Sequence, residues 1–417
     1  MRATRPAWPL AWVLSAALLS AAGARARSDG LSSVEIVGLE HTRASTLLEL
    51  LPRPAPALYT DDELRELERR IANISIFDEV AVTREAAGRV QIRVREKWTL
   101  VPSFDLARGT TLEDTYLFAG ATEYNVLGSG SMLGVSVYHE RRGFGFNISF
   151  QEHVYRRNRW SFGGDLSYGT SELRFPGERA WTSQLAQLYV WTDSTPVLTD
   201  RARYEVGAFY KHEAFSEITG DVRPPNGHTI GTSMMFAYDA YQWNDLTPSG
   251  YSASLDVQLG VFTGPRIPQL RPRAQLMLTG ALRFGRNSVL MARVNAATTG
   301  RGNANHSLLL GSVEGVRGVE DALYFNWIQA YANVELRHAL RILPRWALQG
   351  VVFVDAGALE RIDAYGGRGQ AVAALSGGIG VRVVPTWLYG VVLRFDVARL
   401  IAPDSSFFYQ YGLSQYF

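Results

Sequence analysis

The 417-residue chain has no cysteine, which excludes a disulfide framework, a thiol nucleophile and a thiolate metal site. It has little net charge: 42 basic residues stand against 40 acidic ones, so the clustered basic excess expected of a nucleic-acid-binding protein is missing. Beyond the N-terminal stretch, no apolar run approaches the roughly twenty residues that a helix needs to cross a bilayer. Several enzyme signatures are also lacking. The seven histidines, at 41, 139, 153, 212, 228, 306 and 338, show neither metal-ligand spacing nor H-E-x-x-H, and no serine sits in G-x-S-x-G. Gly128-Ser129-Gly130 lacks a third glycine at dinucleotide-binding spacing, and Gly377-Gly378-Ile379-Gly380 falls in a strand rather than before a helix. The expectation is a protein with no catalytic residue, metal or cofactor, and with no nucleic-acid partner.

What the chain does contain is strict alternation. In Gly143–Gln151, Phe144, Phe146, Ile148 and Phe150 share one face while Gly143, Gly145, Asn147, Ser149 and Gln151 share the other. Tyr251, Ala253, Leu255, Val257 and Leu259 alternate in the same way with Ser252, Ser254, Asp256, Gln258 and Gly260. A third run sets Ile328, Ala330, Ala332, Val334 and Leu336 against Gln329, Tyr331, Asn333, Glu335 and Arg337. Period-two segments of about ten residues, polar on the face that a soluble sandwich would bury, mark a transmembrane antiparallel β-barrel around a wet lumen. Strands can span a bilayer only when closure satisfies their backbone polar groups. Nineteen Tyr, nineteen Phe and ten Trp suit such strands and their interfacial aromatic belts.

Residues 1–26 carry Arg2 and Arg5, an apolar stretch from Pro9 to Leu19 and the cleavage-like runs Ala22-Gly23-Ala24 and Ala24-Arg25-Ala26, which predicts a secretory signal peptide. Together with a barrel, this points to the bacterial outer membrane. Residues 33–97 form a different unit. Val34–Gly38 reads as a strand and Thr42–Leu51 as a short helix. Thr60-Asp61-Asp62-Glu63 is a capping box opening a helix that buries Leu64, Leu67 and Ile71. Glu79–Arg84 and Val90–Glu96 read as strands joined by a turn at 86–89, giving the order βααββ.

Residues 98–417 yield about sixteen strand candidates, an even number that suits a single-chain barrel. Arg273, Arg283, Arg293, Glu335, Arg337, Asp355, Arg382, Arg394 and Asp396 fall on the polar face of the later strands. Facing lipid, such charges would each cost about 2–4 kcal/mol at the midplane, so they are expected to face a water-filled lumen.

Residues 33–97 resemble a POTRA domain, the periplasmic module of the BamA-like outer-membrane assembly and secretion superfamily. The match rests on Val34, Ile36, Gly38, Tyr59, Ile76-Phe77-Asp78-Glu79-Val80 and the strand Val90–Glu96. In the long stretch between the eleventh and twelfth strands, Val316, Arg317 and Gly318 match the family's V-R-G loop, with Val319 where the family has an aromatic. Phe353, Asp355 and Gly357 match its F-x-D-x-G strand motif. Phe407, Tyr409, Tyr411, Leu413 and the terminal Phe417 resemble the C-terminal β-signal, departing from it at Gln415. A weaker match, which is also an ordinary hairpin turn, is Asn125-Val126-Leu127-Gly128-Ser129-Gly130.

The resemblance implies a loop folded into the lumen, and Arg317 is expected to bond Asp355, a carboxylate suited to a bidentate guanidinium contact. It also implies a docking domain in the periplasm, unfolded outer-membrane or secreted proteins as clients, contact with outer-membrane lipid, and periplasmic or lipoprotein partners. The function implied is insertion, assembly or translocation of proteins. The alternatives are a two-partner-secretion-type export pore, or a passive channel or structural barrel.

Overall fold

The computed structural model describes residues 33–412, except 73–75, 86–88, 109–114, 141–142, 153–159, 176–178, 195–200, 220–223, 245, 266–267, 301–306, 312–314, 320–323, 344, 362–369, 386–391 and 404. The expected signal peptide at 1–26, the tip of the turn at 86–89, and Leu413 and Phe417 lie outside the described residues.

The N-terminal unit contains β1 (Val34–Val37), α1 (Ala44–Leu48), α2 (Asp61–Ala72), β2 (Phe77–Arg84) and β3 (Val90–Glu96). The order is the one read from the sequence, although α1 is only five residues long. The sheet runs β1-β3-β2, with β1 parallel and β2 antiparallel to the central β3. α2 begins where its capping box requires: Glu63 N–H donates to Thr60 Oγ1 at 3.2 Å, and Thr60 N–H donates to Glu63 Oε2 at 2.8 Å. Its apolar stripe, Leu64, Leu67 and Ile71, packs with Leu47, Leu51, Val90, Ile92 and Val94 into a core belonging to this unit.

The barrel follows. Its first half is β4 (Leu100–Arg108), β5 (Thr115–Glu123), β6 (Ser131–Glu140), β7 (Gly143–Glu152), β8 (Trp160–Phe175), β9 (Arg179–Ser194), β10 (Ala202–Ser216) and β11 (Gly227–Asp239). Next come β12 (Gln242–Asn244), β13 (Thr247–Thr263), β14 (Gln269–Phe284), β15 (Ser288–Thr299) and β16 (Leu308–Leu310). The last strands are β17 (Tyr324–Leu343), β18 (Trp346–Arg361), β19 (Ala371–Pro385), β20 (Leu393–Ala402) and β21 (Ser406–Gly412). The three-residue β12 and β16 sit beside the continuous pairings β11–β13 and β15–β17. The remaining strands make a closed 16-stranded antiparallel barrel in which β21 pairs with β4.

Several strands run well past ten residues, β17 reaching twenty, because pairing continues beyond the alternating apolar stretch. β19 begins at Ala371, four residues before the alternating stretch expected from about 375. Alternation decides the faces. Val135, Leu255, Val334, Val354 and Ile379 are exposed on the outside, whereas Glu335, Asp355 and Arg382 are fully buried on the inside. The outside is therefore an apolar wall fit for lipid. Inside, the charges of β17–β20 face the lumen as the alternation predicts, and there they are ion-paired and meet a loop.

The N-terminal unit meets the barrel at the β5–β6 turn. Asn125 Nδ2 donates to Thr42 Oγ1 at 2.8 Å, while its Oδ1 accepts from Gly130 N–H at 2.9 Å. The carbonyl of Gly128 accepts from Arg43 N–H at 2.8 Å and from Thr46 Oγ1 at 2.9 Å. Gly128 has φ +75°, and a Cβ there would lie 2.4 Å from the His41 carbonyl oxygen, so glycine is required on both counts. The residues that read as a hairpin turn are also the joint between the two units.

Candidate functional site: a loop arginine sealed against the barrel wall

Gly315–Val319 lies inside the barrel between β16 and β17. Val316 and Val319 are buried with Leu310, Tyr331, Leu359, Ala374 and Leu400. This apolar collar excludes water from the loop tip. Val319 takes part although it replaces an aromatic. Gly357, the last residue of the strand motif, leaves room for the loop: a Cβ there would come within 3.0 Å of Val316 Cγ2. Gly318 turns the chain with φ +94° beside Leu400. Asn333 Nδ2 holds the loop from the wall by donating to the Gly315 carbonyl at 2.8 Å.

Arg317 is fully buried and makes the densest set of contacts. Its Nε donates to Asp355 Oδ2 at 2.7 Å and its Nη2 to Asp355 Oδ1 at 2.8 Å, a bidentate fork on β18. Its backbone N–H adds a third bond to Asp355 Oδ2 at 3.1 Å. Nη1 donates to Glu335 Oε1 on β17 at 2.6 Å and stands 3.5 Å from Asp396 Oδ2 on β20. The guanidinium also lies 3.4 Å over the ring of Phe353, so both side chains of the strand motif touch the loop arginine.

Around this contact the charges balance. Arg337 pairs with Glu335 at 2.6 Å, and Arg382 on β19 pairs with Asp396 at 2.5 Å. Three carboxylates thus face three guanidinium groups, all at least nine-tenths buried. A buried ion survives only when paired and hydrogen-bonded, and here each partner supplies that requirement for another. Gly380 is part of the fit, because a Cβ there would overlap Asp396 Oδ1 at 1.9 Å.

Of the V-R-G and F-x-D-x-G residues visible in the sequence, the structure sets Arg317 against Phe353 and Asp355 and Val316 against Gly357, while Gly318 turns beside Leu400. Glu335 and Asp396 were recognised as inward-facing but not as partners of Arg317. Two further lumen pairs were missed. Arg271 bonds Glu213 at 2.8 Å and lies 3.7 Å over the Phe262 ring, while Arg394 bonds Asp105 at 3.1 Å. No spacing rule marks pairs separated by 58 and 289 positions. Of the C-terminal residues, Tyr409 and Tyr411 point outward from β21.

A closed 16-stranded barrel, apolar outside and with an arginine-tipped loop packed against its inner wall, defines a β-barrel of the BamA-like fold. Among solved structures, BamA from Haemophilus ducreyi lacking POTRA domains 1–3 matches 92% of this chain and 84% of its own, with TM-score 0.59 and 16% identity. CdiB from Acinetobacter baumannii matches 92% and 73%, with TM-score 0.61 and 14% identity. CdiB from Escherichia coli matches 92% and 76%, with TM-score 0.66 and 12% identity. No family model and no curated protein matches the sequence.

Proposed function

We propose that this chain is a bacterial outer-membrane component that inserts unfolded β-barrel proteins into the membrane, with the seam between β21 and β4 as the template for the client's strands. The observation that carries this reading is the seam itself. Among the described residues its ladder has four rows, Tyr409↔Arg108, Gln410↔Ala107, Tyr411↔Leu106 and Gly412↔Asp105. β4 also contains Pro102, which has no N–H and so removes one ladder donor, a feature of edge strands. A strand whose edge is freed presents unpaired backbone groups that an incoming strand can satisfy.

The N-terminal unit fits the role of a POTRA-like docking domain on the periplasmic side. Among the described residues its edge strand β2 is paired on one side only, and a groove of about 590 Å³ runs beside it, lined by Arg65, Glu68, Arg69, Phe77 and Lys97. An extended client segment can add to this edge before reaching the seam. Lipid around the apolar wall and periplasmic or lipoprotein helpers complete the set of partners.

The test is reconstitution. Liposomes containing only this protein should speed the folding of a urea-unfolded barrel client over empty liposomes, and deletion of residues 33–97 should lower the gain. No acceleration rules out an insertase. Delivery of a client into the interior of the vesicles would instead establish an export pore, and steady small-solute conductance without client handling a passive channel.

A further inference from the structure

We propose that Asp105, Gly412 and Arg394 form a latch that fastens the closing seam from inside the barrel, and that the latch is wired to Arg317 through Asp396. The three residues lie in one row across three strands. Arg394 on β20 pairs in register with Gly412 on β21, and Gly412 pairs with Asp105 on β4. The arginine therefore passes over the terminal strand and bonds the first one, with Nη2 3.1 Å from Asp105 Oδ2.

The middle position has to be glycine for this to happen. A Cβ at Gly412 would lie 2.9 Å from Asp105 Oδ1 and 3.3 Å from Arg394 Nη2, in the space that the ion pair crosses. Gln410, two residues earlier on the same face, places its Nε2 3.5 Å from the same Asp105 oxygen. Arg394 is nearly fully buried, so the pair is largely withdrawn from water and from screening by salt.

The link to the loop is equally specific. Asp396 Oδ2 stands 3.9 Å from Arg394 Nε, 3.1 Å from Arg382 Nη2 and 3.5 Å from Arg317 Nη1. One carboxylate thus touches the loop arginine on one side and the latch arginine on the other. Withdrawing Arg317 leaves Asp396 with less positive charge nearby, so it draws Arg394 away from Asp105. Loop release and seam release then favour each other.

The row also sets a rule for what can replace β21. A strand that pairs with β4 in its place puts its own inward side chain at the position of Gly412. A bulky residue there keeps the latch open, a basic one takes over Asp105, and a glycine allows the latch to close again. This use in client release rests on the insertase reading, whereas the latch itself does not.

The absence of cysteine makes the test direct. Spin labels on Val381→Cys and Val137→Cys, outward positions on β19 and β6, flank the seam at five strand spacings, or about 24 Å. Pulsed electron resonance in liposomes should give one distance for the parent protein. Asp105→Asn and Gly412→Val should each add a longer-distance population, and Arg317→Ala a smaller one. Arg283→Gln, which removes a lumen arginine from β14 outside the row, should leave the distance unchanged. Heat-modifiable migration confirms that each barrel is folded. A single unchanged distance in whichever of Asp105→Asn and Gly412→Val folds overturns the latch, as does an equal shift in Arg283→Gln. Loss of folding in both variants, with Arg283→Gln folded, would make the row a requirement for closing the barrel and overturn its role as a releasable latch. If the seam loosens in the latch variants while client folding stays as fast as with the parent, the latch stands and its part in client release fails; the insertase reading itself fails only if the parent gives no acceleration over empty liposomes.

Discussion

Arg317 enters the lumen wall without any remaining exposure, so its desolvation has to be offset by Asp355, Glu335 and the Phe353 ring. Removing the arginine would leave carboxylates buried beside a void. Arg317→Ala is therefore expected to destabilise the loop-bound state by about 3–5 kcal/mol, read as a lower urea midpoint in micelles and faster proteolytic cleavage between β15 and β17. Arg317→Lys keeps the charge but loses the planar fork, and should fall between the two. An unchanged midpoint for Arg317→Ala would show that the apolar collar alone holds the loop. The two halves of this contact were legible because each lies in a short motif with a glycine. Glu335 and Asp396 were legible only as inward-facing charges, since alternation gives the face of a side chain and not its partner across the sheet.

At the scale of elements, strand order and facing were readable from period-two patterns, and strand ends were not. Pairing extends past the apolar stretch, as in β8 and β17, because backbone hydrogen bonding does not require lipid-facing side chains. The capping box likewise fixed the start of α2, but nothing in the sequence pointed to the carboxylate that organises the entry to α1. Glu96, at the end of β3, accepts backbone N–H bonds from Glu40, His41 and Thr42 at 3.2, 2.9 and 2.9 Å. Burial raises its pKa, yet bonds from the Thr42 side chain and from these backbone groups outweigh that and hold it below the usual carboxylate range.

A carboxyl with a depressed folded-state pKa contributes stability above its unfolded value near 4.5, and loses it as pH falls through the lower folded value. The N-terminal unit should thus weaken below about pH 4.5 more in the parent than in Glu96→Gln. At pH 7 the same variant should cost about 1–2 kcal/mol, after discounting for the partial exposure of Glu96. Hydrogen exchange at residues 40–46 across pH 3.5–7 measures both effects, and identical pH profiles for the two proteins would refute the role given to Glu96.

For the whole molecule, one chain of contacts runs from end to end. Thr42 and Thr46 tie the N-terminal unit to the β5–β6 turn, β4 and β5 carry that turn into the wall, and Asp105 on β4 meets Arg394 across the seam. Arg394 and Arg317 then share Asp396. The barrel as a class was plain in the sequence from alternation alone. Its closing row was not, because that row is made by residues from opposite ends of the barrel.

The claim that β4 templates client strands is tested most directly by time-resolved disulfide capture. A cysteine replaces Leu106 at the seam, and single cysteines are scanned along the final strand of an unfolded barrel client in proteoliposomes. The account predicts crosslinks at alternate client positions in one antiparallel register, appearing before the client matures and fading as it leaves. Client folding that is accelerated with no crosslink at any position would contradict it.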